Sequence, residues 1–128
     1  MSGGAVVGYA RVSRHEQDPG AQIRALKEAG AERIFVDHGQ SSRRADRPQW
    51  VACLDYLRPG DTLTVTRLDR LGRSMLDTLT TLHELAETGV RVRALDLDLD
   101  TETPAGRMVV HVLAALSGVR LRAETVHR

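Results

Sequence analysis

The stretch "GAVVGYARVS", residues 4–13, predicts the first element of the fold. It is short, apolar and rich in β-branched residues up to Val12, and only polar and charged residues follow Ser13 directly. Runs of this kind are typical of strands that are buried inside a sheet. Arg11 and Ser13 lie two positions apart, so on a strand their side chains point to the same side. The stretch therefore predicts a buried strand over residues 4–12 that presents an arginine and a serine at its end.

Strand-like and helix-like segments alternate beyond this first strand. Further strands are predicted at 33–37, 62–67 and 90–97. A first helix begins with Asp18 as N-cap and Pro19 as first residue and ends before Gly30, and a second covers residues 49–58. A third is capped by Ser74 and ends at Gly89; its apolar stripe consists of Met75, Leu76, Leu79, Leu82 and Leu85 or Ala86. The alternation predicts an α/β fold with a mainly parallel sheet of four to five strands.

A last helix is predicted from Pro104 onwards, and its residues 108–116 are apolar on nearly every side. A surface helix in a monomer carries a single apolar stripe, so a helix that is apolar all round needs a second partner. We expect this helix to associate with another subunit. The alternative is that it crosses the sheet and is buried within its own domain.

The composition is that of a single domain in an ordinary globular protein, with 128 residues and a net charge of +1. No apolar run is long enough to span a bilayer, and no secretory signal is evident. Cys53 is the sole cysteine, which fits a reducing cytoplasm. Lys27 is the sole lysine, so nearly all positive charge is arginine, whose planar fork of donors suits phosphate. The few aromatic residues argue against binding of single strands by base stacking.

Arginines gather at the predicted carboxyl ends of the strands, where sites form in parallel sheets. If a helix begins near Leu68, Arg70 and Arg73 lie three apart and share one face. A hydroxyl surrounded by guanidinium groups suits attack on a phosphodiester, because fixed donors stabilise the extra negative charge of the transition state. The residues delivered to this edge are Arg11, Ser13, Asp37, Arg47, Asp69, Arg70 and Arg73.

Simpler interpretations exist for each of these residues. Ser13 can merely cap a turn, and Asp69 with Arg73 can form an i,i+4 surface ion pair. His15 follows Ser13 closely, but no G-x-S-x-G elbow surrounds that serine. The histidines show no zinc-ligand spacing with cysteine or carboxylates, so no metal is expected.

Four motifs together resemble the catalytic domain of the serine recombinases, the resolvase/invertase family. They are "YARVS" followed by Gln17, the run from Asp37 to Pro48, "LDRLGRS" at 68–74 and "TPAGRMVVHVLAAL" at 103–116. The resemblance implies that Ser13 is the nucleophile, which joins covalently to a DNA 5′-phosphate, and that neither metal nor ATP is used. It also implies binding to double-stranded DNA as a homodimer that becomes a tetramer during strand exchange. The implied catalytic partners are Arg11, Arg47, Asp69, Arg70 and Arg73, and the implied supporting residues are Tyr9, Gln17, Asp37 and Ser41.

Two departures from the family pattern stand out. The loop at 38–48 carries one extra residue, so either Ser41 or Gln40 fills the position of the family's serine. After residue 117 the expected acidic, arginine-containing run is replaced by "GVRLRAETVHR". We therefore expect a catalytic core over residues 1–103, an oligomerisation helix with an atypical end over 104–128, and no DNA-binding domain after it. The alternatives are a catalytically silent remnant that only oligomerises, and an unrelated doubly wound nucleotide-binding or signalling domain.

Overall fold

A computed structural model describes residues 4–12, 19–39, 47–72 and 74–117. One sheet has the strand order β2-β1-β3-β4-β5, in which the first four strands run parallel and β5 is antiparallel to β4. The strands are β1 (Val6–Val12), β2 (Arg33–His38), β3 (Thr62–Val65), β4 (Arg91–Ala94) and β5 (Leu99–Asp100). The helices of the described ranges are α1 (Pro19–Glu28), α2 (Pro48–Tyr56), α3 (Met75–Glu87) and α4 (Pro104–Ser117). This confirms the predicted α/β fold with its mainly parallel, five-stranded sheet.

The two faces of the sheet carry different helices. On one face, alternate residues of β1 such as Val7 and Tyr9 join a buried core with residues of α2, α3 and α4. On the other face α1 packs closely on β1, because Gly8 has no side chain: a Cβ there would lie 3.2 Å from Leu26 Cδ1. The core on the first face supports the carboxyl edge, where the candidate site lies.

Several predicted element bounds were wrong. β4 ends at Ala94 rather than at residue 97, since a 3₁₀ helix (Leu95–Leu97) follows and Asp98, with a φ of 49°, turns the chain back into β5. No α-helix begins at Leu68: a 3₁₀ helix (Leu68–Leu71) is followed by extended backbone at Gly72. The prediction that Arg70 and Arg73 share the face of one helix therefore has no basis in the described backbone.

α3 begins where the sequence predicts, because the Ser74 hydroxyl accepts a hydrogen bond from the Asp77 amide at 3.1 Å. The predicted apolar stripe is buried at Leu79, Leu82 and Leu85. Its first two members are not buried: Met75 and Leu76 are 46% and 54% exposed. The stripe is therefore buried only from Leu79 onwards, and Met75 lines the cavity of the candidate site instead.

α4 packs against α3 and β5. Its first turn is held by the Thr103 hydroxyl, which accepts a hydrogen bond from the Gly106 amide at 2.9 Å. Gly106 lies so close to the strand that a Cβ would stand 1.8 Å from the Asp100 carbonyl oxygen. Val110 is buried, but Met108, Val109, Val112 and Leu116 are exposed. The alternative that this helix is buried within its own domain is therefore wrong for these side chains. In the described ranges, no helix has both the length and the apolar character needed to cross a bilayer.

Candidate active site

The carboxyl ends of β1 and β2 bring an arginine and an aspartate side by side. Arg11 is paired with Asp37 in the register of the two strands, so both side chains point to the face that carries α2. Both are buried, with exposed fractions of 8% and 3%. Charged side chains are rarely buried to this extent unless they are paired or hydrogen-bonded. The pair marks this edge as the first place to search for function.

The carboxylate of Asp37 joins three separate elements. It accepts hydrogen bonds from the Tyr9 hydroxyl on β1 and from the backbone amides of Gln49 and Trp50 in the first turn of α2, all at 2.9 Å. Arg47, the N-cap residue of α2, gives this helix no side-chain cap. Asp37 therefore caps α2 from a neighbouring strand, and the positive end of the helix dipole favours its negative charge.

This carboxylate also affects two buried titratable groups. Burial raises the pKa of the Tyr9 phenol, and the hydrogen bond to Asp37 raises it further. Burial also raises the pKa of the Cys53 thiol to about 12, with a further contribution from the charge of Asp37. Tyr9 therefore serves as a neutral hydrogen-bond donor, and Cys53 as an inert core residue rather than a nucleophile.

Arg47 enters the same edge from the start of α2. It is 4% exposed, and its Cζ lies 5.5 Å from the ring centroid of Trp50. Trp50 in turn contacts the Tyr9 ring, with the two centroids 4.9 Å apart. Arg11 thus reaches this edge from the end of β1, and Arg47 from the N-cap of α2.

A surface cavity of about 470 Å³ opens beside Arg11. Asp96, which follows β4, belongs to this cavity and accepts a hydrogen bond from the Leu68 amide at 3.2 Å. That bond ties the 3₁₀ helix containing Asp69 and Arg70 to the end of β4. The lining residues are Arg11, Leu68, Asp69, Gly72, Ser74, Met75, Thr78, Asp96 and Leu97.

Gly72 is required by close packing at the wall of this cavity. A Cβ on Gly72 would lie 2.8 Å from the Thr78 amide nitrogen and 2.7 Å from an Asp77 carboxylate oxygen. The Thr78 backbone nitrogen cannot move away from an added Cβ as the end of a flexible side chain can. The extended glycine therefore lets the chain pass directly over the first turn of α3, which keeps the 3₁₀ helix against the cavity.

Asp69 is exposed and forms an ion pair with Arg67, at 2.8 Å between its Oδ2 and the arginine Nη2. The expected alternative partner, Arg73, lies outside the described residues, so the i,i+4 pair stays a prediction. An exposed pair of this kind contributes little to stability, roughly 0 to 1 kcal/mol. Its position at the cavity, rather than its contribution to stability, makes Asp69 of interest.

The structure brings together four of the residues expected from the sequence, namely Tyr9, Arg11, Asp37 and Arg47. Asp69 lines the neighbouring cavity, and the backbone of Arg70 lies in the 3₁₀ helix beside it, while its side chain is not among those described. The remaining candidates fall outside the described ranges: Ser13, Gln17, Gln40, Ser41 and Arg73.

Sequence reasoning missed two residues of the site, Trp50 and Asp96. Trp50 is the only tryptophan in the chain and stands three residues after Arg47, a spacing at which side chains meet on a helix. Asp96 follows a predicted strand at the same edge as the arginines. Both signals were present in the sequence, but the overlong strand at 90–97 concealed the second.

The fold and the site together place this chain in one class of protein. Its members are mainly parallel α/β domains with buried arginines and a cavity at the carboxyl edge of the sheet. Comparison with known families narrows that class. The model of the family "Resolvase, N terminal domain" matches residues 6–126. The chain therefore belongs to this family, the resolvase/invertase or serine recombinase family that its motifs resemble. The alternative of an unrelated doubly wound domain is wrong.

Relatives from phages and bacteria agree with this assignment. The chain is 45% identical over 112 residues to a DNA-invertase of Escherichia phage P1, covering 88% of this chain and 60% of the relative. It is 45% identical over 112 residues to the serine recombinase gin of Escherichia phage Mu, covering 88% and 58%. It is 40% identical over 113 residues to the transposon Tn552 resolvase of Staphylococcus aureus, covering 87% and 57%. The chain thus spans somewhat over half the length of these curated relatives.

Solved structures share the fold. The N-terminal catalytic domain of TP901-1 integrase superposes with a TM-score of 0.75 at 24% identity, covering 89% of this chain and 94% of that one. A resolvase family site-specific recombinase from Streptococcus pneumoniae gives a TM-score of 0.68 at 21% identity, covering 91% and 87%. At these identities the likeness concerns the fold alone.

Proposed function

We propose that this chain is the catalytic domain of a site-specific serine recombinase, which cleaves and rejoins DNA strands through a 5′-phosphoserine intermediate. The observation that carries the proposal is the burial of Arg11 and Arg47 around the Tyr9–Asp37 hydrogen bond at the carboxyl edge of the sheet. Two buried guanidinium groups at one edge suit a phosphate ligand. The names of the relatives, invertase, recombinase and resolvase, support the same reaction.

In the proposed reaction the Ser13 hydroxyl oxygen attacks a backbone phosphorus atom of DNA. The bond from phosphorus to the 3′-oxygen breaks as the bond to serine forms, and the serine proton is transferred, in net terms, to the departing 3′-oxygen. The number of phosphate ester bonds is unchanged, so the reverse attack by a 3′-hydroxyl reseals the strand without an external energy source. No metal or nucleotide cofactor takes part in this scheme.

The arginines stabilise the transition state, because its phosphate oxygens carry more negative charge than those of the bound substrate. Asp69 orients the arginines or assists proton movement from the cavity wall. Asp37 and Tyr9 hold the arginines in place rather than contact the reacting atoms. In the full assignment the catalytic residues are Ser13, Arg11, Arg70, Arg73, Arg47 and Asp69, and the supporting residues are Tyr9, Gln17, Asp37 and Ser41.

The proposal includes the partners and the division of the chain. Its substrate is double-stranded DNA in the cytoplasm, and its partners are further copies of this chain, a dimer that pairs into a tetramer for strand exchange. Residues 1–103 form the catalytic core, and residues from 104 onwards begin the oligomerisation helix. The buried arrangement of Arg11, Asp37 and Arg47 favours an active domain over a silent remnant.

A covalent-adduct assay tests the proposed reaction. The full chain is fused to a DNA-binding domain of known specificity and incubated with DNA that carries paired sites for that domain. We expect protein attached to the 5′ end of the cut strand after denaturation, and no adduct with Ser13→Ala, because the attacking oxygen is absent.

A second fusion distinguishes a defect in the active site from a defect caused by the residues after 117. In it the residues after 117 are replaced by a helix of the usual family type. Adduct with either fusion supports the assignment of Ser13. Absence of adduct from both, with the proteins folded, contradicts it.

The exposed apolar side of α4 predicts self-association. Val112→Glu, in the middle of this side, is expected to weaken dimerisation at least tenfold, because an unpaired carboxylate is costly to bury. Ala21→Glu is the matched control. Ala21 is an exposed residue of α1, so this variant adds the same charge on the opposite face of the sheet. Sedimentation velocity over a concentration series measures both. Equal association of the two variants would contradict the proposed interface.

A further inference from the structure

We propose that Trp50 is a positioning residue for Arg47: its ring fixes the direction in which the Arg47 guanidinium faces the scissile phosphate. This inference rests on the proposed function, because it assigns a role within the same site. Nothing in the family motifs singles out position 50. The inference comes from the packing of one side chain of this chain.

The contact between the two side chains is buried and has the geometry of a cation–π interaction. Arg47 Cζ lies 5.5 Å from the Trp50 ring centroid, and the two residues are 4% and 1% exposed. A cation within about 6 Å of an indole ring is attracted by the negative face of the ring, most strongly when water is excluded. The ring therefore favours particular guanidinium orientations over others.

Trp50 is itself held in place from two directions. Its backbone amide donates to Asp37 Oδ2 at 2.9 Å, and its ring contacts the Tyr9 ring at a tilt of 57°. The Tyr9 hydroxyl donates to the same Asp37 oxygen, also at 2.9 Å. The indole is thus fixed relative to the end of β1, the strand that leads to the proposed nucleophile. A ring held in this way can fix the Arg47 side chain relative to β1.

The place of Arg47 in the chain leaves the direction of its side chain to contacts with other residues, of which Trp50 is one. It is the N-cap residue of α2, with a non-helical backbone at φ −131° and ψ 65°, so the helix does not set its side chain. A guanidinium carries all its donors in one plane, and that plane decides which oxygens it can bind. Contact with an aromatic face leaves the in-plane N–H groups directed toward oxygen acceptors.

The alternative is that Trp50 serves only as a large core residue. In that case variants at position 50 change the rate of cleavage only as far as they lower the fraction of folded protein. A positioning role predicts a loss of rate in folded protein, and a loss that disappears once Arg47 is gone. The two interpretations therefore differ in a double-mutant cycle.

The test measures the rate of Ser13–DNA adduct formation with the full-chain fusion. Trp50→Leu is expected to lower the rate about tenfold in the presence of Arg47, and Trp50→Phe to restore it to within about threefold of the starting protein. In an Arg47→Ala background, Trp50→Leu is expected to change the rate by less than about twofold. Val90→Ala, a core change at the opposite end of the sheet, controls for lost stability.

A second measurement avoids substitution of the side chain. Trp50 is the only tryptophan of this chain, so growth on fluorinated tryptophans alters this one ring when the fused DNA-binding domain contains no tryptophan. Ring fluorines withdraw electron density and weaken the attraction for a cation with little change in shape. The rate is expected to fall stepwise with the number of fluorines when Arg47 is present, and to be insensitive to them in Arg47→Ala. This keeps the proposal testable if Trp50→Leu fails to fold.

The outcomes separate this inference from the function on which it rests. If Arg47→Ala cleaves as fast as the starting protein, the proposed role of Arg47 fails. If Arg47→Ala is slow while the Trp50 variants and the fluorinated proteins keep the full rate, only the positioning role is overturned. Equal losses from Trp50→Leu with and without Arg47 would also overturn it, because the tryptophan would then act independently.

Discussion

Replacement of Arg11 by alanine is expected to slow adduct formation by a factor of about 10² to 10³, the range for removal of one preorganised donor to a developing charge. The reason lies in the burial of this side chain. Arg11 is 8% exposed and lines the cavity at the end of β1. Electrostatic stabilisation by a buried charge is stronger than by one in solution. Arg11→Lys keeps the charge but loses the planar fork, so we expect an intermediate rate.

The measurement is the single-turnover rate of adduct formation with the fusion protein, under conditions where every variant is folded. Arg93→Ala is the control, since Arg93 is also a strand arginine but its side chain belongs to the other face of the sheet. We expect that control to stay within about twofold of the starting rate, as for surface changes away from the site. An unchanged rate in Arg11→Ala would refute the assignment of this residue to the site.

Replacement of Asp37 by alanine is expected to lower the free energy of unfolding by about 3 kcal/mol, because hydrogen bonds to a buried charge are each worth roughly 1.5 to 3 kcal/mol and do not add fully. The change leaves the Tyr9 hydroxyl and the amides of Gln49 and Trp50 without their shared acceptor. It also removes the cap of α2 and hence the support of Arg47. Asp37→Asn keeps one acceptor oxygen, so a smaller loss is expected.

Asp61 supplies a matched comparison for Asp37. It is also a buried aspartate that accepts two backbone amides, those of Ala5 and Arg58, but it stands at the amino end of β3. Urea unfolding is expected to show a comparable loss of stability in Asp61→Ala. Adduct formation by the folded fraction should fall in Asp37→Ala and stay normal in Asp61→Ala. A wild-type urea midpoint for Asp37→Ala would contradict the role of its carboxylate as a cap.

Four exposed large apolar residues lie on α4, the helix that the proposal assigns to contacts between subunits. Met108, Val109, Val112 and Leu116 form one side of α4, and they are 42% to 79% exposed. Apolar patches of this kind commonly mark interaction surfaces. The sequence predicted the excess of apolar residues in this helix. The packing of Gly106 and Val110 decided which side turns inward.

Local signals in the sequence predicted the order of the elements well. Three predictions depend on neighbouring residues, and each is confirmed. They are the alternation of strands and helices, the Ser74 cap of α3 and the buried strand that contains Arg11. The family motifs predicted the site residues, of which Tyr9, Arg11, Asp37 and Arg47 do meet at one edge. These features could be predicted because hydrophobic period and capping operate over a few residues of chain.

Three contacts of the site form only in the folded chain. Asp37 caps a helix that begins eleven residues later, Asp96 holds a 3₁₀ helix that begins nearly thirty residues before it, and Trp50 contacts both Tyr9 and Arg47. The condition that a helix begins near Leu68 is met only by a short 3₁₀ helix, which the distant Asp96 carboxylate holds through the Leu68 amide and which ends in extended backbone at Gly72. The sequence predicted the fold class and the placing of Tyr9, Arg11, Asp37 and Arg47 at one edge of the sheet. The orientation of that chemistry depends on contacts between residues far apart in the chain, which form only when the chain is folded.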